Sequence, residues 1–170
     1  MRTERSVGDI LESDHRELDR LLVELLDDLS ADERDPVSTY HRLDLFWARL
    51  AVHIRAEHLV LFPAVLSAAS DQQEQREAMI RILGDLRHDH DFFMKELARA
   101  VKALRLVPDF GNENETFEVV RILVKRVEQR LLQHNRIEEE TIYPLADQAI
   151  RSRILNELEN LPARFSTSAK

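Results

Sequence analysis

Residues 53–63 read HIRAEHLVLFP and residues 134–144 read HNRIEEETIYP. Each stretch sets a glutamate four positions after a histidine and ends in an aromatic residue followed by proline. Residues four apart share a helix face, so His53 stands with Glu57 and His134 with Glu138. The rest of those faces is apolar. The seam around the first pair is Leu43, Phe46, Leu50 and then Val60 or Leu61; around the second it is Phe117, Val120, Val124, Val127, Leu131 and then Leu145. Alternating spacings of three and four mark a helix that turns one stripe to a core. The pattern therefore points a histidine and a glutamate inward where leucines are expected.

Two further periodic segments carry the same anomaly. From Val7 to Ser30 the seam is Leu11, His15, Leu18, Leu22, Leu25 and Leu29, and from Gln73 to Val107 it is Ile80, Leu83, Leu86, His90, Phe93, Leu97, Val101 and Leu104. Short polar breaks divide the segments. ADERDP supplies Asp35 as a helix cap and Pro36 as a first helical residue, and PDFGNENE precedes the fourth segment. The chain also repeats itself. DHRELDRLLVELL from Asp14 aligns with DHDFFMKELARAV from Asp89, His90 standing 75 positions after His15, while His134 stands 81 positions after His53. Two helical hairpins of one design predict an all-α, antiparallel up-down four-helix bundle with approximate two-fold symmetry. The bundle is expected over residues 1–150, with a short C-terminal helical extension and polar tail over 151–170. Counted from the inter-helix breaks at about 1.5 Å per residue, the four histidines fall in one layer.

Composition narrows the function. The 170 residues hold no cysteine, which excludes disulfides, thiolate nucleophiles and cysteine-held zinc or iron–sulfur sites. Any metal must be held by His, Asp, Glu or Tyr. A net charge of −8 without a dense Lys/Arg cluster argues against nucleic acid as a partner. No uninterrupted apolar run approaches the roughly 20 residues of a membrane span, and MRTERSVGDI has no signal-peptide core, so no membrane association and a cytoplasmic location are expected.

Taken singly, an inward histidine is ordinarily a hydrogen-bonded core residue, and a His-x-x-x-Glu pair an exposed ion pair. Six such groups in one layer are different. Burying two carboxylates and four imidazoles costs several kcal/mol per ion unless something compensates them. A pair of di- or trivalent cations does so, with His15, His53, His90 and His134 as nitrogen donors and Glu57 and Glu138 bridging. This sulfur-free set suits iron or manganese, and zinc also accepts it.

At these residues the chain resembles the hemerythrin-like family of HHE cation-binding domains. The matching features are DHRELD around His15, HIRAEHLVLFP, RHDHDFFMKEL and HNRIEEETIYPL, spread over about Val7 to Ile150. The resemblance implies a non-heme, carboxylate-bridged di-iron centre whose ligands match His15, His53, Glu57, His90, His134 and Glu138. It also implies small ligands such as O2, NO and H2O2. Oxygen carriers of the family use five histidines, two of them one turn apart on the third helix; here the positions four from His90 are Leu86 and Met94. His88 is turned roughly 200° away and reads as exposed, His58 reaches a metal only from the flank of its helix, and His41 reads as surface. Glu139 and Glu140 read as a solvated face, and Phe62 and Tyr143 as plugs for the bundle end, with Tyr143 near enough to hydrogen-bond a bound ligand. A set of four histidines and two carboxylates resembles the branch linked to peroxide or nitric oxide handling and iron homeostasis. Three classes stay open: a redox-active di-iron protein, an oxygen- or iron-responsive binding module, and a metal-free bundle.

Overall fold

A computed structural model describes residues 5–69, 73–106 and 113–162. α1 (Val7–Ser30) starts at a reciprocal cap: the Asp9 amide donates to the Ser6 hydroxyl at 3.0 Å and the Ser6 amide to the Asp9 carboxylate at 2.9 Å. Such a cap satisfies amides that have no partner inside the helix. α2 (Pro36–Ala56) follows Asp35, whose carboxylate accepts from the Val37 amide at 3.0 Å, with Pro36 in the first turn. α2 then runs through a π-helical turn, Glu57–Leu61, into the short α3 (Phe62–Ala68). α4 (Gln73–Arg105) and α5 (Glu113–Ile137) complete the bundle, and a second π turn, Glu138–Ile142, continues α5. Two 3₁₀ turns, Tyr143–Leu145 and Gln148–Ile150, lead into the terminal α6 (Arg151–Glu159). No strand occurs among the described residues.

α1 packs on α2 and α5, and α4 packs on the same two, closing the four-helix ring that the repeat predicts. α6 is the helical extension; it lies across α2 and the first π turn, where Arg55 Nε donates to Glu157 at 2.8 Å. Asp35 and the helix it begins fall where the sequence punctuation puts them, whereas α5 starts at Glu113, inside the break PDFGNENE. The end of the third segment at Val107, residues 108–112 of the following break and the tail at 163–170 lie outside the described residues.

The apolar residues form two cores rather than one. A larger cluster holds Leu25, Phe46, Phe93, Val124 and their neighbours, and a smaller one holds Leu11, Leu61, Phe62, Leu86 and Ile142. α1, α2 and α4 contribute to both, and α5 enters the smaller one through Ile142 and Tyr143 just beyond its end. Along α1, Leu11 and Leu18 belong to different clusters with His15 between them, and along α4, Leu86 and Phe93 do so with His90 between them. The histidine layer is the partition.

Two seam positions differ from the sequence pattern. Met79, not Ile80, carries the third seam inward, since Ile80 is 49% exposed; the four-three alternation runs back from Leu83 to Met79. Leu145 is also exposed, while Ile142 and Tyr143 are buried. The π turn before them is the cause, because its wider winding advances the buried face. Each π turn precedes a proline, Pro63 or Pro144, whose ring opposes the carbonyl four residues back and whose nitrogen has no proton to give it. The wider turn accommodates that defect: the Phe62 amide donates to the Glu57 carbonyl and the Tyr143 amide to that of Glu138, five residues back.

The continuous helical run Pro36–Ala68 is long and apolar enough to cross a membrane, which reading the sequence for uninterrupted apolar runs does not show. Of its most apolar window 56% is buried against the other helices, and the run carries the inward His53 and Glu57. Its hydrophobicity is accounted for by core burial.

The larger core should dominate stability. Leu25→Ala, at a fully buried site, should cost about 2–5 kcal/mol, whereas Val119→Ala on the exposed face of α5 should stay within about 0.5 kcal/mol. Urea unfolding of both variants checks this; equal losses would contradict the described packing.

Candidate metal centre

Four helices deliver six polar side chains to the partition. His15, His53, His90 and His134 are each 2% exposed, and Glu57 and Glu138 are fully buried. They fall into two groups that share both carboxylates: His15, His53, Glu57 and Glu138, and then Glu57, His90, His134 and Glu138. Within each group the donor atoms lie within 4.8 Å of one another. In the first, His15 Nε2 is 3.1 Å from His53 Nε2, His53 Nε2 is 3.2 Å from Glu57 Oε1, and His15 Nε2 is 3.4 Å from Glu138 Oε2. In the second, His90 Nε2 is 2.9 Å from His134 Nε2 and 3.4 Å from Glu57 Oε2, and His134 Nε2 is 3.1 Å from Glu138 Oε1. Each carboxylate thus offers one oxygen to each pair of histidines.

The histidines are held by their other ring nitrogens. Nδ1 of His53 donates to Asp14 at 2.9 Å and Nδ1 of His134 to Asp89 at 3.2 Å. Nδ1 of His15 donates to Glu139 at 2.8 Å, and Nδ1 of His90 lies 2.8 Å from His58 Nε2. Such partners fix the tautomer, so that Nε2 presents its lone pair inward. Asp14 is itself gripped by Arg49 at 2.7 Å, and Asp89 by Arg130. The repeat explains the design: in each Asp-His pair the histidine enters the centre while the aspartate braces a histidine on the next helix.

This corrects the reading of Glu139 and sharpens those of His58 and Tyr143. His58 does not reach the centre as a fifth donor; it stands behind His90. Glu139 is not simply part of a solvated face, because it braces His15 from the position equivalent to His58 in the repeat. Tyr143 is more than a plug, since its ring joins the smaller core while its hydroxyl enters the centre and donates to Glu57 Oε1 at 3.0 Å. His88 and His41 are exposed, as expected. The bracing roles of Asp14 and Asp89 escaped notice, although both aspartates were visible as the conserved half of the internal repeat.

As the side chains stand, protons do the compensating. Burial pushes the Glu57 carboxyl up, and Glu138 beside it adds to the push. Burial drives His90 down to about 2 against the pull of Glu138. At His53 burial is outweighed by Glu57 and Asp14, which hold the imidazole well above its ordinary value; His134 is raised against burial chiefly by Glu138. Glu138 in turn is held well below the ordinary carboxylate range, because His134 and His15 outweigh its burial.

The donor set fits a metal. Glu57 Oε2 and Glu138 Oε1 are buried without a hydrogen-bond partner; the His134 contact to the latter, though short, is not aligned with an N–H. A buried carboxylate oxygen left unpaired is costly, and here both face the His90–His134 pair. Neutral imidazoles and carboxylate oxygens in this arrangement can hold a cation in either group.

His90→Ala should abolish tight zinc(II) uptake by removing a donor, while His88→Ala should leave it unchanged. Asp14→Asn, which removes the carboxylate that braces His53 and pairs with Arg49, should weaken uptake about 10–100-fold. Uptake should also release protons and weaken as pH falls, because His53 and His134 must lose the protons their raised values retain. Competition titrations with a chromophoric chelator, repeated across pH, measure all of these; a silent His90→Ala would sink the site.

The hemerythrin HHE cation binding domain family matches residues 6–146. No curated protein and no solved structure matches the chain significantly. With the family match spanning nearly the whole bundle and the buried His/Glu cluster inside it, the chain belongs to the hemerythrin HHE family of cation-binding domains.

Proposed function

We propose that this is a non-heme di-iron protein, with iron on each side of the Glu57–Glu138 pair, that reacts with peroxide or binds nitric oxide. One observation carries the reading. Two groups of four donors share both carboxylates, and among the described residues no further histidine faces either group, because His58 is committed to His90 and His88 is exposed. Four histidines and two bridging carboxylates leave positions on six-coordinate metals for exogenous ligands. Iron in this N/O environment supplies redox and Lewis-acid chemistry toward small oxygen and nitrogen ligands; manganese and zinc are possible substitutes.

The chain's own residues do the rest. The braced imidazoles and shared carboxylates fix donor positions before a ligand arrives, so little reorganisation opposes the reaction. Phe62, Phe93 and the two flanking cores exclude bulk water and restrict the centre to small ligands. Reversible oxygen carriage fits poorly, since it requires a single vacant position and this donor set leaves more than one. A second reading, a responsive module, draws on one contact: α6 lies against the π turn that begins with Glu57, so a shift of that carboxylate has a path to the end of the described chain.

The iron-loaded, reduced protein should oxidise in air without a long-lived reversible oxygen spectrum. It should either consume hydrogen peroxide or give a nitric oxide complex. Stopped-flow optical spectra and electron paramagnetic resonance read these outcomes. Stable reversible oxygen binding would contradict the proposal, and inertness to both peroxide and nitric oxide would replace it with the responsive module.

A further inference from the structure

The internal repeat makes the two halves of the centre nearly equivalent, and one difference between them reaches the donor atoms themselves. His58 matches Glu139 as a brace, and each π turn ends at an aromatic residue, but that residue is Phe62 in one copy and Tyr143 in the other. Phe62 stacks parallel on the His90 ring with centroids 6.0 Å apart and brings no polar atom. Tyr143 brings a hydroxyl, and its oxygen sits among the donors of the His15–His53 group. It lies 2.9 Å from His15 Nε2, 3.0 Å from Glu57 Oε1, 3.5 Å from His53 Nε2 and 3.5 Å from Glu138 Oε2.

Those distances have a chemical meaning. Donor atoms about 2.1 Å from a six-coordinate metal stand about 3 Å from their neighbours in the coordination shell. The four nitrogen and oxygen atoms of the His15–His53 group already show such spacings, from 3.1 to 3.4 Å. The phenol oxygen stands 2.9 to 3.5 Å from all four. On the His90–His134 side the matching position is Phe62, so among the described residues no equivalent fifth donor joins Glu57 Oε2 and Glu138 Oε1 there.

We propose that Tyr143 is a seventh protein ligand, bound through its phenol oxygen to the metal on the His15–His53 side alone, so that the two metal positions are unequal. The inference rests on the reading of the six-residue cluster as a metal centre. Binding forms one metal–oxygen bond and breaks the O–H bond, with the proton leaving to solvent and no electron transferred. Its consequence is directional: the open positions lie mainly on the His90–His134 side, beside Phe62, and exogenous ligands enter there.

An iron(III) phenolate has a visible charge-transfer band whose resonance Raman spectrum carries tyrosine ring modes, and this gives a readout independent of activity. The chain holds 2 tyrosines, and the other, Tyr40, accepts a hydrogen bond from Arg105 Nε at 2.9 Å. Tyr40→Phe therefore serves as the control. Full-length iron(III)-loaded protein should show the ring modes, Tyr40→Phe should keep them, and Tyr143→Phe should lose them while still binding the same amount of iron. Phenylalanine is already accommodated at the matching position of the repeat, so this variant should fold; circular dichroism and iron content verify it. Two irons without phenolate modes, or modes that survive in Tyr143→Phe, overturn this inference alone. Failure to bind iron at all overturns the metal-centre reading and this inference with it.

Discussion

Two carboxylates at zero exposure dominate the energetics of this protein. Glu57 and Glu138 lie side by side in a bundle whose other inward positions are almost all aliphatic or aromatic. Two like charges in such a setting repel one another and are both poorly solvated, so neither is tolerable without opposing charge. Two imidazoles on each side answer that constraint, each aimed by a partner on its far nitrogen, with His53 and His134 raised toward the charged form and His90 held neutral. The division of the apolar core into two clusters follows from the same constraint, since a polar layer this complete interrupts hydrophobic contact across the bundle.

Symmetry and its local failure carry the chemistry. Duplication of an Asp-His helix and a His-x-x-x-Glu helix yields, in one step, four inward imidazoles, two carboxylates shared between them and two arginine-gripped aspartates. The duplicated proline yields a π turn in each half, and that turn carries Glu57 and Glu138 to the centre and brings Phe62 and Tyr143 in behind them. Where the copies diverge, the two halves of the centre differ. His58 opposite Glu139 changes the brace from an imidazole to a carboxylate, and Phe62 opposite Tyr143 changes an apolar wall into one that carries a hydroxyl.

The helices, their caps and the six inward residues were legible because each is a local signal. A cap residue, a proline or a break in an apolar stripe is read within one or two turns, and Asp35, Pro36 and His15 are such cases. What the sequence did not reveal depends on relations across helices or on departures from 3.6-residue winding. Extrapolating a straight helix past Glu138 puts Leu145 in the core, but the π turn carries Tyr143 and Ile142 there instead. The braces were hidden for another reason. Asp14 and Asp89 look like ordinary exposed neighbours of their own histidines, and only the helix packing shows that each serves a histidine on a different helix.

Carboxylates shared by two bound irons would couple them magnetically as well as electrostatically. The most direct measurement is Mössbauer spectroscopy with iron quantification on protein loaded with iron and then oxidised. About two irons per chain, with their spins coupled to a diamagnetic ground state, is the expected result for a carboxylate-bridged pair. One iron per chain, or two with independent paramagnetic spectra, would contradict the assignment of Glu57 and Glu138 as bridges.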